Sequence, residues 1–179
     1  MTERGDPVSA VTAVEAKHIM ERISSRGVLG ITEIVESAAR SAIDPIYELL
    51  GRTSGDGGVL VVAGSGYTGA VALTTARHLA NHGTDVTVYA VETDALPETD
   101  RRRVSLQGTA VEYRPGPGDI YEEITQRGGE YELVIDALLG GGVYESHSDS
   151  VTAMLGALAA VDEARETAGR PRGASFQIP

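Results

Sequence analysis

The pattern of apolar and polar residues changes period along the chain, and each change locates an element. Near the N-terminus, apolar residues recur at helical spacing after Thr12 as far as Gly27, and again from Ile31 to Leu50. Thr12 and Glu15 form the pattern of a capping box, which marks the start of the first helix. Pro45 predicts a kink or a split in the second helix. The chain is therefore expected to begin with two helices.

The rest of the chain alternates short apolar runs with helical patterns. VLVVA at 59–63 and VTVYAV at 86–91 are apolar throughout, as strands buried on both faces are, and the helix between them should stop at Gly83. Further on we expect a loop and then helix within 92–103, a strand at 109–113, a loop at 115–118, a helix from Asp119 to about Gln126, a strand at 132–140, a helix at 152–167 and a strand at 174–178. This order predicts an α/β fold, a Rossmann-like three-layer sandwich with a mostly parallel sheet and N-terminal helices.

Composition limits the domain count and the function classes. The 179 residues suit one core, so we expect a flexible N-terminus over 1–10 and a single domain over 11–179. Acids outnumber bases by 26 to 15, and the resulting charge of −11 disfavours nucleic acid and anionic membranes as partners. There is no cysteine, which excludes thiol chemistry. The N-terminus lacks the apolar segment of a secretory signal, so we expect a cytoplasmic protein.

One glycine motif carries the clearest chemistry. Residues 64–69, GSGYTG, match G-x-G-x-x-G between an expected strand and an expected helix. The glycines permit a tight turn, and unpaired amides at the start of the helix can bind phosphate. Glu92, at the end of the next strand, stands where a dinucleotide-binding fold has its ribose-binding acid. A phosphate-binding loop and a tight turn without a ligand both remain open.

Other polar residues have a functional and a structural interpretation. Asp136 follows an apolar strand, where an acid either serves a site or holds the next turn. His78 and His82 have metal-ligand spacing on one helix, but we interpret them as surface residues because no third ligand is near in sequence. Arg101–Arg103 is interpreted as a solvated turn that balances nearby acids.

Four segments carry a family resemblance. GSGYTGAVALTTARHL at 64–79 is similar to G-P-G-N-N-G-G-D-G-L-V-A-A-R-H-L, and IDALLGGG at 135–142 to V-D-A-L-L-G-T-G. VESAAR at 35–40 is similar to M-E-N-A-G-R, and QIP at 177–179 to the middle of D-I-P-S-G. In this order, over nearly the whole chain, the motifs resemble the N-terminal YjeF domain of NAD(P)H-hydrate epimerases.

The resemblance implies an isomerase of nucleotide repair that interconverts the R and S epimers of hydrated NADH or NADPH. It also implies a homodimer and a potassium ion near the site. By position it implies Asp136 as the catalytic residue, and Thr68 with Asp136 as potassium ligands. The implied substrate contacts are Gly64, Gly66, Tyr67, Thr68, Gly69, Ala70, Val71, Gly140, Gly141, Gly142, Val143, Tyr144, Glu145, Ser146 and Gln177.

The chain departs from the family pattern at positions that matter for chemistry. The family's Asn-Asn is Tyr67-Thr68 here, its Gly-Asp is Ala70-Val71, and its later aspartate is Gln177. Epimerising a ring hydrate through loss and return of water calls for a carboxylate, which leaves Asp136. Three functions stay open: an epimerase with an altered site and reduced activity, an inactive nucleotide-binding or dimerisation module, and an ordinary NAD(P)-binding Rossmann protein.

Overall fold

The computed structural model describes residues 11–25, 30–51, 57–127, 131–140, 148–167 and 174–175. The helices in these segments are α1 Ala13–Ser25, α2 Ile31–Leu50, α3 Tyr67–Asn81, α4 Pro97–Val104, α5 Ile120–Arg127 and α6 Asp149–Thr167. The strands are β1 Val59–Ala63, β2 Val86–Val91, β3 Glu112–Gly116, β4 Leu133–Ala137 and β5 Ala174–Ser175. The predictions for residues 1–10, 141–146 and 177 fall outside the described segments.

The strands form one parallel sheet in the order β3-β2-β1-β4-β5. Every residue of β1 and β2 is buried, because helices cover both faces of the sheet. Alternate residues of β1 serve different cores: Val59, Val61 and Ala63 pack with α2 and α3, whereas Leu60 and Val62 pack with α5 and α6. The predicted α/β sandwich is confirmed.

Local sequence signals set the ends of several helices. At the start of α1, Thr12 N donates to Glu15 Oε2 at 2.7 Å, and Glu15 N donates to Thr12 Oγ1 at 3.3 Å. This is the predicted capping box. After α3, Gly83 takes a φ of +89°, and Thr84 N donates to Leu79 O at 3.1 Å. The predicted stop at Gly83 is confirmed: a positive φ, which glycine adopts without strain, ends the helix there.

The predicted bounds of the third strand were wrong, and of the kink or split predicted at Pro45 the split does not occur. The third strand begins at Glu112 instead of residue 109, and it includes Pro115 and Gly116, which we expected in a loop. β3 lies at the edge of the sheet, where proline is tolerated because fewer ladder hydrogen bonds are required. α2 is not split at Pro45. Pro45 lies on the exposed side of the helix, while Ile46 on the other side packs into the core.

The apolar faces of the two N-terminal helices are less buried than their spacing suggested. Leu49 belongs to the helically spaced apolar residues of α2 but is 39% exposed. In α1, Val14 and Ile19 are also exposed.

Among the described helices, none is both long and apolar enough to cross a membrane.

A buried arginine connects α6 to the strand that carries Asp136. Arg165 is fully buried and donates to Tyr131 O and Glu132 O, at 2.5 and 2.9 Å. These carbonyls immediately precede β4, so the arginine fixes the strand's starting point. Asp136, near the other end of β4, is placed level with Val62 by the pairing of β4 with β1.

Candidate functional site

The candidate site lies at the carboxyl ends of β1 and β4, where the strand order reverses. β2 and β3 lie on one side of β1 and β4 on the other, so the connections leave this point in opposite directions. A crevice for a ligand opens at such a position in parallel sheets. Ala63 pairs with Ala137, and Gly64 N donates to Ala137 O at 3.0 Å. The glycine motif and the turn after Asp136 are therefore neighbours.

The three glycines of the motif differ in whether the surrounding structure requires a glycine at their position. A Cβ atom on Gly64 would clash with Leu138 O, and a Cβ atom on Gly69 would clash with Gly64 O. Both sites need glycine because backbone lies against backbone. A Cβ atom on Gly66 would meet nothing within 4 Å. The middle of the motif is therefore open, while its two ends are closely packed.

The start of α3 offers unpaired amides. The helix begins at Tyr67 with Gly66 as its N-cap residue, and no side chain caps it. Within the described residues, Ala70 N is the first α3 amide that donates to a backbone carbonyl, that of Gly66 at 3.0 Å. The amides of residues 67–69 are thus available to a ligand. Together with the positive end of the helix dipole they suit an anion such as phosphate.

The side chains of the motif point into different surroundings. Tyr67 is 47% exposed, whereas Thr68 is buried and its hydroxyl has no hydrogen-bond partner among the described residues. Ala70 and Val71 are buried in a small apolar cluster with Val35 on α2. Position 71, where the family has an acid, is therefore an apolar contact between two helices. The ligand contacts expected of residues 67–71 remain predictions.

Asp136 performs the structural role that its position suggested. It is partly buried at the end of β4, level with Val62 of β1, and its Oδ1 accepts a hydrogen bond from Leu138 N at 3.0 Å. The bond holds the turn after the strand. It engages one carboxylate oxygen, so a role in the site is compatible with it. Gly140 follows in this turn, and the implied contacts at 141–146 and 177 lie outside the described segments.

Leu96, just before α4, and Thr99 in its first turn contact the carbonyls of the glycine motif, which sequence reasoning missed. Leu96 N donates to Ser65 O at 2.9 Å, and Thr99 Oγ1 lies 3.0 Å from both Ser65 O and Gly66 O. Thr99 is 3% exposed. Pro97 is the first residue of α4, and a proline there signals a helix start. Nothing in the local pattern signals the contact itself, which joins residues more than 30 positions apart.

An ion cluster fastens α4 to α2. Arg102 pairs with Glu98 on α4 at 2.7 Å and with Glu36 on α2 at 3.1 Å, and it donates to Thr32 O at 2.8 Å. The prediction of a solvated turn at 101–103 was wrong, because all three arginines lie in α4 and Arg102 is buried. The reason is that a neighbouring helix supplies the acid. Arg101 keeps an exposed side chain, as expected.

Glu36 is the centre of that cluster. Its carboxylate contacts Arg77 at 3.1 Å and His78 Nε2 at 2.8 Å. Burial acts to raise the pKa of Glu36, but the hydrogen bond with His78 and the charges of Arg77 and Arg102 outweigh it and leave the pKa lowered. The surface interpretation was wrong for His78, which is partly buried by this contact, and is confirmed for exposed His82. Within the described segments no group of three or more potential ligands could hold a metal.

Glu92 lies beyond the end of β2 and is engaged by protein groups. Its Oε1 accepts hydrogen bonds from Tyr113 Oη at 2.9 Å and from Arg103 Nη1 at 3.4 Å. Burial and the hydrogen bond to Glu92 raise the pKa of Tyr113. A ribose hydroxyl would share this carboxylate with both side chains, so the ribose-binding role remains a prediction.

Comparisons with known proteins point to one family. Residues 31–168 match the family model YjeF_N, described as YjeF-related protein N-terminus. The chain is 30% identical over 139 residues to an NAD(P)H-hydrate epimerase of Dehalogenimonas lykanthroporepellens, covering 78% of this chain and 54% of that protein. It is 30% identical over 132 residues to a bifunctional NAD(P)H-hydrate repair enzyme Nnr of Methanospirillum hungatei, covering 72% and 26%. The chain thus spans about half and about a quarter of these relatives.

A solved structure shows the same fold. The crystal structure of yeast ynu0 superimposes with a TM-score of 0.74 at 18% sequence identity, covering 87% of this chain and 67% of that one. At this identity the likeness concerns the arrangement of strands and helices alone.

Proposed function

We propose, since the chain belongs to the YjeF-related N-terminal family, that it is an isomerase that interconverts the R and S epimers of hydrated NADH or NADPH. One observation carries the proposal: the glycine motif and the turn after Asp136 meet at the switch point of the sheet, through Gly64 N and Ala137 O. A nucleotide in that crevice would have phosphate-binding amides on one side and a carboxylate on the other.

In this proposal the motif binds the phosphates. The amides of residues 67–69 donate to phosphate oxygens, and the glycine backbone lets the ligand approach closely at the open position of Gly66. Tyr67 and Thr68 border the ligand. The family resemblance implies further ligand contacts at Gly140, at 141–146 and at Gln177. The protein's net charge of −11 makes these local donors important, because the overall field repels an anionic ligand.

Asp136 is the proposed catalytic residue. Epimerisation breaks the bond between the hydrated ring carbon and its hydroxyl oxygen as the hydroxyl takes up a proton and leaves as water. Water then returns to the other face of the cationic ring and gives up a proton, so the overall reaction is balanced. A carboxylate beside the ring stabilises the cation and accepts that proton. The bond from Leu138 N orients the Asp136 carboxylate while leaving its second oxygen for this work.

Potassium belongs to the proposal as an accessory ion. Thr68 has a hydroxyl without a described partner, and the Asp136 oxygen that accepts from Leu138 N keeps a further lone pair, so both are oxygen ligands of the kind that hard cations take. When bound, the ion would supply positive charge near the anionic ligand. Two side chains leave most of its ligand shell to carbonyls and water.

One observation favours a second candidate, an inactive module that retains the nucleotide crevice. Val71 stands at the position of the family's acid and is buried with Val35 and Ala39 against α2. A side chain there supplies no charge to a reacting ring. In this alternative the amides still bind nucleotide, while the epimers interconvert only at their spontaneous rate.

The assay that separates these candidates uses the R epimer of hydrated NADPH. The protein is incubated with it, and formation of the S epimer is compared with the rate in buffer alone. We expect a rate above the spontaneous one. A rate equal to buffer, with binding intact, would leave the inactive module; a rate equal to buffer with no binding would reject both.

The quaternary structure and location are parts of the same proposal. A homodimer would cover some of the exposed apolar side chains on the N-terminal helices, among them Val14 and Leu49. Light scattering on the purified protein gives the mass: twice the 18.7 kDa chain is expected, and a monomer would remove this part. We propose that the protein acts in the cytoplasm.

A further inference from the structure

We propose that Thr99 is a positioning residue that orients the phosphate-binding loop without touching the nucleotide. The inference rests on the proposed function, because it assumes that the amides of residues 67–69 receive phosphate, and it adds the neighbouring amide of Gly66 to them. It adds a residue that no motif of the family resemblance includes, on a helix that does not belong to the crevice.

The first step follows from the geometry of the peptide bond. In a planar trans peptide unit the C=O and the following N–H point in opposite directions. The carbonyls of Ser65 and Gly66 both point to Thr99 Oγ1, at 3.0 Å each, and Leu96 N donates to the first of them at 2.9 Å. The N–H groups of Gly66 and Tyr67 belong to the same two peptide units. They are therefore directed away from α4.

The second step concerns the freedom that the motif would otherwise have. Gly66 has no side chain and no neighbour within 4 Å of its Cβ position, so no side-chain packing restrains the two peptide units beside it and only hydrogen bonds to their carbonyls do. If these two peptide units were reversed, their N–H groups would face α4 and their carbonyl oxygens would face the anion and repel it. The Thr99 hydroxyl disfavours that orientation, because it would lose its acceptors. Thr99 is 3% exposed, and the two carbonyls are the partners of its hydroxyl in the described structure.

The third step is the rigidity of Thr99 itself. Its neighbour Glu98 is buried and pairs with Arg102, which also binds Glu36 and the carbonyl of Thr32 on α2. α4 therefore cannot shift relative to α2 without breaking these contacts. A fixed helix holds a fixed hydroxyl, and the hydroxyl holds the loop.

Loss of the Thr99 hydroxyl should loosen the phosphate-binding loop without unfolding it. Ser65 O keeps its bond from Leu96 N, and Gly66 O keeps its bond from Ala70 N. One hydrogen bond of ordinary strength corresponds to an affinity change of about three- to tenfold. We expect Thr99→Val to weaken binding of hydrated NADPH by about that factor.

The experiment measures the dissociation constant of hydrated NADPH by calorimetry for the wild type, Thr99→Val, Thr99→Ser and Thr74→Val. Thr74 is the matched control: it is fully buried, and its hydroxyl also donates to a backbone carbonyl, that of Ala70 at 2.8 Å. Thr99→Ser restores the hydroxyl and should bind as the wild type does, and Thr74→Val should too. Thermal unfolding without ligand reports the loss of stability separately. If Thr99→Val does not fold, Thr99→Ala against Thr99→Ser gives the same comparison.

Equal binding by Thr99→Val and the wild type would overturn the inference and leave the proposed function standing. Weakening by Thr74→Val or Thr99→Ser to the same degree would also overturn it, because the effect would then be a general loss of stability. Failure of the wild type to bind hydrated NADPH would reject the proposed function and this inference together.

Discussion

Glu98 and Arg102, one turn apart on α4, form an ion pair that is almost completely shielded from water. Arg102 Nη2 lies 2.7 Å from Glu98 Oε1, and the two residues are 3% and 8% exposed. Arg102 reaches across to Glu36 on α2 at 3.1 Å. The pair therefore joins α4, whose Thr99 contacts the glycine motif, to α2, which packs on α3.

Arg102→Gln should lower the free energy of unfolding by about 3–5 kcal/mol, because it leaves the buried carboxylate of Glu98 without its principal partner. Arg101→Gln is the matched control. Arg101 also contacts Glu98, at 2.8 Å, but its side chain is 63% exposed, so we expect a change below about 1 kcal/mol. Urea unfolding measures both. Equal effects of the two substitutions would contradict the buried clamp.

The stability contributed by Glu36 should disappear in acid. Its pKa is lowered from 4.5: burial alone would raise it, but the hydrogen bond with His78 and the nearby arginines prevail. A depressed carboxyl pKa gives stability that is fully present above the unfolded pKa and is lost as the pH falls through the folded value. The difference in unfolding free energy between wild type and Glu36→Gln should thus shrink below about pH 4.5.

Urea unfolding across that range measures the Glu36 effect. Glu33→Gln, at an exposed position on the same helix, is the control and should show a smaller pH-dependent difference. A difference between wild type and Glu36→Gln that stays constant as the pH falls would show that the carboxylate charge is not what stabilises the cluster.

The sequence predicts elements where the deciding interactions are local, and it fails where they are not. The ends of α2, the capping box at Thr12 and the stop at Gly83 depend on residues within one turn of each other, and all were predicted. The parallel sheet follows from the alternation of apolar runs with helical patterns. Pro115 was assigned to a loop because local propensity cannot show that its strand lies at a sheet edge.

The candidate site shows the same division. The glycine motif and the turn at Asp136 were recognised because each depends on contacts between residues a few positions apart in sequence. The burial of Arg102 depends on Glu36 of another helix, 66 residues away. The contact of Thr99 with the motif is also between distant segments. A single sequence carries no signal for such pairs, so charged or hydroxyl residues of this kind are assigned to the surface by default.

Alanine at two glycines of the motif should separate stability from binding. Gly69→Ala places a Cβ against Gly64 O, so the backbone must move, and we expect a loss of several kcal/mol or failure to fold. Gly66→Ala meets no protein atom and has an ordinary φ of −90°, so stability should change by less than about 1 kcal/mol. Its methyl group would instead face the phosphates and weaken nucleotide binding. Thermal unfolding and calorimetry test the pair; unchanged binding by Gly66→Ala would place the ligand elsewhere.

Substitutions of Asp136 should separate its turn from its chemistry. Asparagine keeps an oxygen that can accept from Leu138 N, whereas alanine keeps neither that acceptor nor the charge. We expect Asp136→Asn to retain nearly wild-type stability and to lower the epimerisation rate by at least about a hundredfold. Asp136→Ala should lose stability as well. A rate for Asp136→Asn equal to the wild type would confine this residue to its structural role.

The claim on which the account depends is that the amides opening α3 receive the phosphates of a nucleotide, and amide resonances report this most directly. Hydrated NADPH is titrated into isotopically labelled protein, and the shifts of the backbone N–H signals are followed. We predict that the largest shifts fall on Gly66, Tyr67, Thr68 and Gly69, with smaller ones near Asp136. Saturating binding that leaves these four signals in place and moves signals elsewhere would contradict the account.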